Sequence, residues 1–411
     1  MPCTRRSAAL LLLVVLAISP VSARGQEPMA YRFKDGKGIA SVAFELNSNK
    51  IFLPVRINGG ERRWFVLDSG CPVTALDLGV ARELKLPVTG ERPIAGAGEG
   101  RTTVGTTQVD SLALAGLELF PRAVWALGVN EPVSPYEGRR IDGLLGVDFL
   151  ERLVLRIDYP NRTLDIIEPE RFEPTGQGVV VPLTKVGGHY TLRGTLDVKG
   201  GPSVEGRFIL DVGVRLPLLL STPFVNRHGL IAALGAGKAQ TVGGGLGGET
   251  RAHLGRLKSL TIGGLTIDAP YVALSQEQRS FLAGEETQGL LGAEVFRRYG
   301  LTLDLRGQRA IFTETPVTRT PYESDMSGMF LIARGDDFHR LEVLSTVAGG
   351  PAAEAGIRRG DVIVAIDGKP AAQWTLEAVR ATFREAEATR VLTVQRQQER
   401  LTIKLRLRRL V

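Results

Sequence analysis

A strand-like segment that ends in aspartate occurs twice in this chain of 411 residues. Residues 64–70 read Trp-Phe-Val-Leu-Asp-Ser-Gly, and residues 207–213 read Arg-Phe-Ile-Leu-Asp-Val-Gly. Each segment follows an alternating apolar run that is typical of a β-strand. A carboxylate at the end of a buried apolar strand costs free energy unless something satisfies or uses it. We therefore expect the two units to bring Asp68 and Asp211 together across a pseudo-twofold axis.

The duplication extends beyond the aspartates. The sequence Gly-Leu-Leu-Gly at residues 143–146 recurs at 289–292, and Leu-Arg-Ile-Asp at 155–158 returns as Leu-Thr-Leu-Asp at 301–304. These matches keep the same order at nearly the same offset, which predicts two tandem copies of one domain. Short alternating runs separated by Gly, Pro, Asn and Asp indicate that both copies are rich in β-strands.

A third domain follows a linker over residues 315–325 that contains two prolines. It carries Gly-Pro-Ala-Ala-Glu-Ala-Gly-Ile at residues 350–357, and the apolar spacing predicts a helix from about Thr375 to Ala388. The expected organisation is a signal peptide over residues 1–23, a first lobe over 40–168, a second lobe over 180–314 and a C-terminal domain over 326–411.

The N-terminus is typical of a secretory signal. Arg5 and Arg6 precede an apolar run that ends in Val-Ser-Ala, a small-residue cleavage site. The alternative is an uncleaved membrane anchor. No later segment has membrane-spanning length, so we expect a periplasmic or secreted protein. Cleavage would also remove Cys3 and leave Cys71 as the only cysteine, which excludes an intrachain disulfide.

Composition and motifs exclude several function classes. The formal charge of +7 is dispersed and aromatic residues make up 6% of the chain, so nucleic-acid binding is not expected. The four histidines are scattered, and the sequence contains no zinc-protease helix motif, no phosphate-binding loop and no nucleophile elbow. We therefore expect neither a metal nor a cofactor.

Two adjacent carboxylates suit hydrolysis without a cofactor. Such a pair holds one proton, so its ionised member can activate a water while its protonated member polarises a peptide carbonyl. From about residue 40 to 315 the chain resembles two retropepsin-like lobes in tandem, as in bacterial aspartyl protease family proteins. The resemblance implies a mainly β fold of two acid-protease β-barrel lobes, with Asp68 and Asp211 as the catalytic pair.

The same resemblance assigns supporting roles to the loops that follow each aspartate, at Ser69, Gly70, Val212 and Gly213. In the family a hydroxyl after each aspartate bonds across to the opposite loop, and Val212 removes one of these bonds. Cys71 and Val214 stand where pepsin-like enzymes often place a hydroxyl that bonds the carboxylate. Because fewer hydrogen bonds would stabilise the ionised carboxylate, we expect the pKa values of this pair to be shifted less toward acid pH than those of pepsin. Cys71 itself is expected to be a small buried filler, the alternative being a redox-sensitive thiol.

A glycine-rich stretch lies in each copy at the place of the family's flap. Glycine-rich hairpin tips can open for a substrate and then close over it. The alternative is a pair of surface hairpins without a role. The expected flap and substrate-binding residues are Gly96, Gly98, Gly100, Gly244, Gly245 and Gly247.

The C-terminal segment resembles a small α+β PDZ domain of the bacterial, permuted type, on the motif at residues 350–368. PDZ domains bind an extended peptide as an added strand and hold its C-terminal carboxylate on backbone N–H groups. Phe330 replaces a preferred glycine, which leaves open a role in docking internal segments or a purely structural role. The corresponding peptide-binding residues are Gly328, Met329, Phe330 and Leu331.

The function expected from these features is that of an exported aspartic endopeptidase. It would act as a monomer on extended polypeptide substrates, with the PDZ domain recruiting a peptide or protein ligand. The alternative is a catalytically lapsed protein that only binds peptides, in the cleft between the lobes and in the PDZ groove. Val212 favours this alternative, whereas the presence of both Asp68 and Asp211 argues against it.

Overall fold

The computed structural model describes residues 28–174 and 176–411 of the chain. The expected signal peptide therefore lies outside the described residues. Across the two described ranges, we find no helix with both the length and the apolar character needed to cross a membrane. The fold is mainly β, as predicted from the alternating sequence pattern.

The first lobe is built mainly on a half-barrel sheet, and it begins upstream of residue 40 because the strand Ala30–Phe33 pairs with the strand Leu117–Phe120. Its strands are β1 (Ala30–Phe33), β2 (Ile39–Ala43), β3 (Glu45–Asn47), β4 (Lys50–Ile57), β5 (Arg62–Leu67), β6 (Ala75–Asp77), β7 (Val88–Ala95), β8 (Arg101–Val109), β9 (Leu112–Leu114), β10 (Leu117–Phe120), β11 (Arg122–Leu127), β12 (Gly143–Leu145), β13 (Val154–Asp158) and β14 (Thr163–Ile167). Its helices are α1 (Leu78–Glu83), α2 (Asn130–Glu137) and α3 (Val147–Leu150), with a 3-10 turn at Pro169–Arg171.

The second lobe repeats this plan. Its strands are β15 (Val179–Pro182), β16 (Thr184–Val186), β17 (His189–Asp197), β18 (Ser203–Asp211), β19 (Leu218–Leu220), β20 (Gln240–Gly245), β21 (Gly248–Arg256), β22 (Ser259–Ile262), β23 (Leu265–Asp268), β24 (Tyr271–Ser275), β25 (Gly289–Gly292), β26 (Tyr299–Asp304) and β27 (Arg309–Glu314). Its helices are α4 (Thr222–Arg227), α5 (Leu230–Ala233) and α6 (Ala293–Phe296), with a 3-10 turn at Phe281–Ala283.

The sheet topology shows that the two lobes are copies of one unit. Strands follow the order β10-β9-β4-β5-β12-β6-β11-β8-β7 in the first lobe and β23-β22-β17-β18-β25-β19-β24-β21-β20 in the second. In each, the strand that leads to the aspartate pairs in parallel with the strand of the Gly-Leu-Leu-Gly motif. The sequence repeat therefore corresponds to a repeat of strand connectivity.

A third sheet joins the two lobes. Its strand order is β15-β27-β26-β13-β14-β2, so strands from both copies form one continuous ladder. The central contact is antiparallel pairing of β13 with β26, in which Leu155 lies opposite Leu303. Both side chains are fully buried. Because burial of a leucine contributes roughly 2 kcal/mol, this shared core favours a fixed arrangement of the lobes.

The C-terminal domain has its own hydrophobic core. The predicted helix 375–388 is shorter than expected, because the carbonyl of Phe383 accepts a hydrogen bond from Met326 N instead of continuing the helix. The domain's elements are β28 (Met329–Arg334), β29 (Arg340–Thr346), α7 (Pro351–Glu354), β30 (Val362–Ile366), β31 (Lys369–Pro370), a 3-10 turn (Ala371–Gln373), α8 (Leu376–Thr382), β32 (Thr389–Arg396) and β33 (Glu399–Arg406).

Candidate active site

Asp68 and Asp211 lie at equivalent strand ends in the two lobes. Asp211 is the last residue of β18, and Asp68 directly follows β5. After each aspartate the chain turns back, and the N–H of the glycine two residues later donates to the carboxylate. The distances are 2.9 Å from Gly70 N to Asp68 Oδ1 and 2.8 Å from Gly213 N to Asp211 Oδ1.

Each of these glycines also faces the carboxyl group of the other lobe. A Cβ atom on Gly70 would lie 2.3 Å from Asp211 Oδ2, and one on Gly213 would lie 2.4 Å from Asp68 Oδ1. Any larger residue would clash, since real Cβ contacts are longer than 3 Å. The missing side chains let the two loops meet, so each carboxyl group lies against the loop of the other lobe. The structure thus brings the predicted pair together.

Ser69 connects the loops through one set of hydrogen bonds. Its Oγ donates to the carbonyl oxygen of Leu210 at 2.7 Å and accepts from Val212 N at 3.0 Å. The side chain of Val212 is fully buried and fills the equivalent space in the second lobe. It offers no hydroxyl for the reciprocal bonds, so the lobes are linked here from one side only.

Burial governs the electrostatics of the pair. It raises the pKa of the Asp68 carboxyl, against the lowering influence of the Lys50 ammonium and the Gly70 N–H. Burial and the negative charge of Asp68 both raise the pKa of Asp211. Both pKa values are raised, so the pair retains a proton at a pH at which isolated aspartates are ionised.

Lys50 and Glu137 form a buried ion pair that the sequence did not reveal. The Nζ of Lys50 lies 2.8 Å from Glu137 Oε1. Burial alone would raise the pKa of Glu137, but the charges of Lys50 and Arg380 lower it. The positive charge of Lys50 also lowers the pKa values of Asp68 and Asp211. A positive charge beside the pair favours its singly ionised form.

His189 is another group near the pair that sequence reasoning treated as isolated. Its ring packs edge-on against Phe281, with centroids 5.9 Å apart. Burial lowers the pKa of His189, and the charge of Asp68 partly offsets this effect. Its Nδ1 atom is buried without a hydrogen-bond partner among the described residues. His189 therefore lies in the electrostatic environment of the dyad without bonding to it.

Cys71 is a buried filler rather than an exposed thiol. Only 8% of the residue is exposed, and its Sγ donates to the Val73 carbonyl at 3.1 Å instead of to a carboxylate. Burial and the charge of Asp68 raise the pKa of the Cys71 thiol well above its usual range. Thiolate formation, which oxidation and alkylation require, is therefore disfavoured.

The expected flap glycines lie in two hairpins: Gly96, Gly98, Gly100 and Gly247 are at the tips, whereas Gly244 and Gly245 are the last residues of strand β20. The first flap consists of β7, β8 and the tip at residues 96–100, and the second flap consists of β20, β21 and the tip at residues 246–247. The tips bond to one another: Gly247 N donates to Ala97 O at 2.7 Å, and Gly100 N donates to Gly247 O at 2.8 Å. A Cβ on Gly98 would lie 2.5 Å from the Gly247 carbonyl carbon. Glycine is therefore needed for this contact.

The first flap is also held by the second lobe. Gly98 N donates to Glu277 Oε2 at 3.1 Å, and the Glu99 carboxylate accepts from Gln278 N at 2.6 Å. The second flap makes the complementary contact, because Leu246 at its tip packs on the first-lobe cluster that contains Cys71. Each flap thus crosses to the opposite lobe, and both are closed in this structure.

The expected PDZ residues lie at a contact between the PDZ domain and the first lobe. Met329, Phe330 and Leu331 belong to strand β28 rather than to a loop, and Gly328 precedes it. The ring of Phe330 lies 6.0 Å from that of Tyr136 in the first lobe. The larger side chain that replaces the preferred glycine is therefore used in packing against the first lobe.

A family model of aspartyl proteases matches residues 53–149 and 195–295, the two segments that carry the aspartates. The lobes belong to the aspartyl protease family. A PDZ-domain model matches residues 342–396, so the aspartyl protease lobes are followed by a PDZ domain. None of the curated proteins compared with the chain matches it significantly.

Two solved structures similar to this chain are themselves proteases. The aspartic proteinase from Irpex lacteus is 15% identical over 69% of this chain and 99% of its own, with a TM-score of 0.45. A photosystem II D1 C-terminal processing protease is 27% identical over 21% of this chain and 23% of its own, with a TM-score of 0.20.

Proposed function

We propose that this protein is an exported aspartic endopeptidase that hydrolyses polypeptides with water activated by Asp68 and Asp211. The observation that carries the proposal is the reciprocal approach of Gly70 to the Asp211 carboxyl and of Gly213 to that of Asp68. Two carboxyl groups held this close share one proton, which leaves one of them ionised and the other protonated. Such a pair supplies a general base and a general acid at the same point.

The proposed reaction uses both carboxyl groups twice. Asp68 takes a proton from a water whose oxygen attacks the peptide carbonyl carbon, while Asp211 gives its proton to the carbonyl oxygen. A tetrahedral diol results. When it collapses, the C–N bond breaks, Asp68 returns its proton to the leaving amine, and Asp211 regains a proton from a diol hydroxyl. The products are a carboxylic acid and an amine, and both aspartates return to their initial states.

The cleft between the lobes is the proposed place of the substrate. An extended peptide would lie beneath the first and second flaps, whose closure excludes water from the reacting bond. Since both aspartates come from one chain, the site needs no second subunit, and we propose that the protein acts as a monomer. The PDZ domain is proposed to bind a segment of substrate or of another protein.

Export is the second part of the proposal. It is supported by the basic head, apolar run and Val-Ser-Ala site in the first 23 residues. Fractionation of cells that express the full chain, followed by N-terminal sequencing, tests it. Mature protein that starts at Arg24 outside the cytoplasm is expected. A cytoplasmic protein that retains Met1 would contradict export.

A peptide-binding protein without activity is the second candidate, and Val212 is the observation that favours it. The distinguishing experiment incubates the protein, expressed from the full chain, with a peptide library between about pH 3 and pH 8. Cleavage that is lost in both Asp68→Asn and Asp211→Asn, but kept in the exposed-site control Asp110→Asn, supports the peptidase. Peptide binding without cleavage, unaffected by either substitution in the pair, would establish the binding protein.

A further inference from the structure

The peptide-binding edge of the PDZ domain is covered by the first lobe. Strand β28 lies at one edge of the PDZ sheet, where PDZ domains accept an added strand. Helix α2 of the first lobe packs against this strand, and α8 of the PDZ domain flanks it. The remaining cavity beside Gly328 and Phe330 is about 70 Å³. A site for even a small ligand usually measures at least about 300 Å³, so a peptide cannot enter without displacing the lobe.

Polar contacts from α8 hold this arrangement. The guanidinium of Arg380 donates to the Tyr136 carbonyl at 2.8 Å and to Ser48 Oγ at 3.0 Å. The carboxylate of Glu377 accepts from Ser48 N at 3.0 Å. Arg380 is 5% exposed, so these bonds are shielded from water. A charged donor bonded in a buried site marks a specific contact between domains rather than a chance approach.

Tyr136 connects the PDZ domain to the second flap. Its ring packs against Phe330 of β28. The same ring also contacts the second flap: a Cβ on Gly244 would lie 2.2 Å from Tyr136 Cδ2, so the ring rests directly on the flap backbone. A second contact lies nearby, since Thr241 Oγ1 in the flap strand and Ser345 Oγ in the PDZ domain are hydrogen-bonded at 2.7 Å. The PDZ domain therefore contacts the second flap directly through Ser345 and indirectly through Tyr136, on which Phe330 packs.

We propose that the PDZ domain is an autoinhibitory latch, in which the end of α2 fills the peptide groove and Tyr136 holds the second flap closed. An extended peptide that enters the groove would displace Tyr136 and release the flap. The occupant in the resting protein is thus a segment of this chain. The kinetic consequence of the latch rests on the proposed peptidase activity, whereas its effect on the flap does not.

A disulfide between Thr241→Cys and Ser345→Cys tests the latch in the full chain. The two hydroxyls already lie 2.7 Å apart, so a bond between cysteines needs little movement. The readouts are hydrogen–deuterium exchange of the flap amides at residues 240–248 and kcat/KM on a library peptide that the wild type cleaves. Each single-cysteine variant is the matched control for oxidation. Phe330→Ala is the complementary variant, because it removes the ring that supports Tyr136.

The oxidised double variant is expected to exchange its flap amides more slowly and to lose about tenfold in kcat/KM, with recovery on reduction. Phe330→Ala is expected to exchange faster and to cleave faster than the wild type. Equal exchange and equal cleavage in the oxidised and reduced forms would overturn the latch. Slower cleavage by Phe330→Ala together with faster exchange would also overturn the latch. This result would mean that the PDZ domain supports the active conformation of the flap instead of inhibiting it. If exchange responds as expected but no form cleaves any peptide, the latch stands and the proposed peptidase fails.

Discussion

Ser69 Oγ accepts a 3.0 Å hydrogen bond from the backbone N–H of Val212, and the valine side chain returns none. The two copies of the lobe are therefore joined asymmetrically at the point where their carboxyl groups meet. One hydroxyl satisfies a donor and an acceptor of the second lobe. The stability of the site depends on that hydroxyl more than it would in a symmetric pair.

Ser69→Ala is expected to destabilise the protein by about 2 kcal/mol, because it leaves Leu210 O and Val212 N buried without this partner. Urea denaturation measures the free energy of unfolding. The exposed Ser203→Ala serves as the control and should change it little. A Ser69→Ala variant as stable as the wild type would show that the cross-lobe bond contributes nothing.

Val212→Thr is expected to stabilise the protein by about 1 kcal/mol. Threonine has nearly the shape of valine and, by the symmetry of the lobes, would place its hydroxyl near Leu67 O and Ser69 N. Thermal unfolding checks the stability, and kcat/KM on a cleaved peptide checks the geometry of the dyad. A lower melting temperature would mean that the reciprocal bonds cannot form and that the hydroxyl is buried unpaired.

The pH dependence of kcat/KM should reflect the raised pKa values of both carboxyl groups. In the proposed mechanism Asp68 is ionised and Asp211 is protonated, so activity requires a pH above the first pKa of the pair and below the second. Burial raises the pKa of Asp68 and, with the charge of Asp68, that of Asp211. The bell-shaped profile should have its acid limb above about pH 4, the value of an ordinary aspartate. An optimum below about pH 3 would contradict this account.

Asp211→Asn is expected to be more stable than the wild type at pH 8, by about 1 kcal/mol or more. The folded-state pKa of Asp211 lies above its unfolded value. Its contribution to stability is therefore fully present below the unfolded pKa and is lost as the pH rises through the folded pKa. The asparagine variant does not titrate, so its advantage should shrink toward pH 4. Urea denaturation across this range measures it, and a constant difference would contradict the raised pKa.

Lys50→Met is expected to move the acid limb of the pH profile upward, because the lysine charge lowers the pKa of both Asp68 and Asp211 against the raising effect of burial. The single variant should also lose about 3 kcal/mol of stability, since Glu137 is left buried without its partner. Lys50→Met combined with Glu137→Gln should regain most of this stability and keep the shifted profile. An unchanged acid limb in the double variant would exclude an electrostatic role for Lys50.

The sequence predicted the part of the site that is local in the chain. Asp68 and Asp211 each end an apolar strand, so their shared role could be inferred from a repeated pattern. The difference between the two loops was also visible in the sequence, because Val212 occupies the position that Ser69 has in the first lobe. Lys50 and Glu137 are separated by 87 residues, and their contact depends on where α2 packs. No local pattern carries that information. The alternation of apolar and polar residues also indicates that β13 and β26 are half-buried strands. It does not indicate that they pair with each other across the lobes.

The docking of the PDZ domain could not be inferred for a related reason. Its contacts are made by Arg380, Glu377 and Ser48, residue types that a sequence pattern assigns to the solvent. Phe330 was identified as a departure from the family, yet its use in packing against Tyr136 requires the arrangement of three elements in space. Interactions that join separate units thus depend on the tertiary structure.

The most direct test of the central claim compares kcat/KM for the wild type, Asp68→Asn, Asp211→Asn and the double variant on one cleaved peptide. If the carboxyl groups act as one unit, each single substitution should lower kcat/KM by about a thousandfold, and the double variant should lose little more. If either single variant keeps near wild-type activity, or if the two losses multiply, then Asp68 and Asp211 do not form a catalytic dyad.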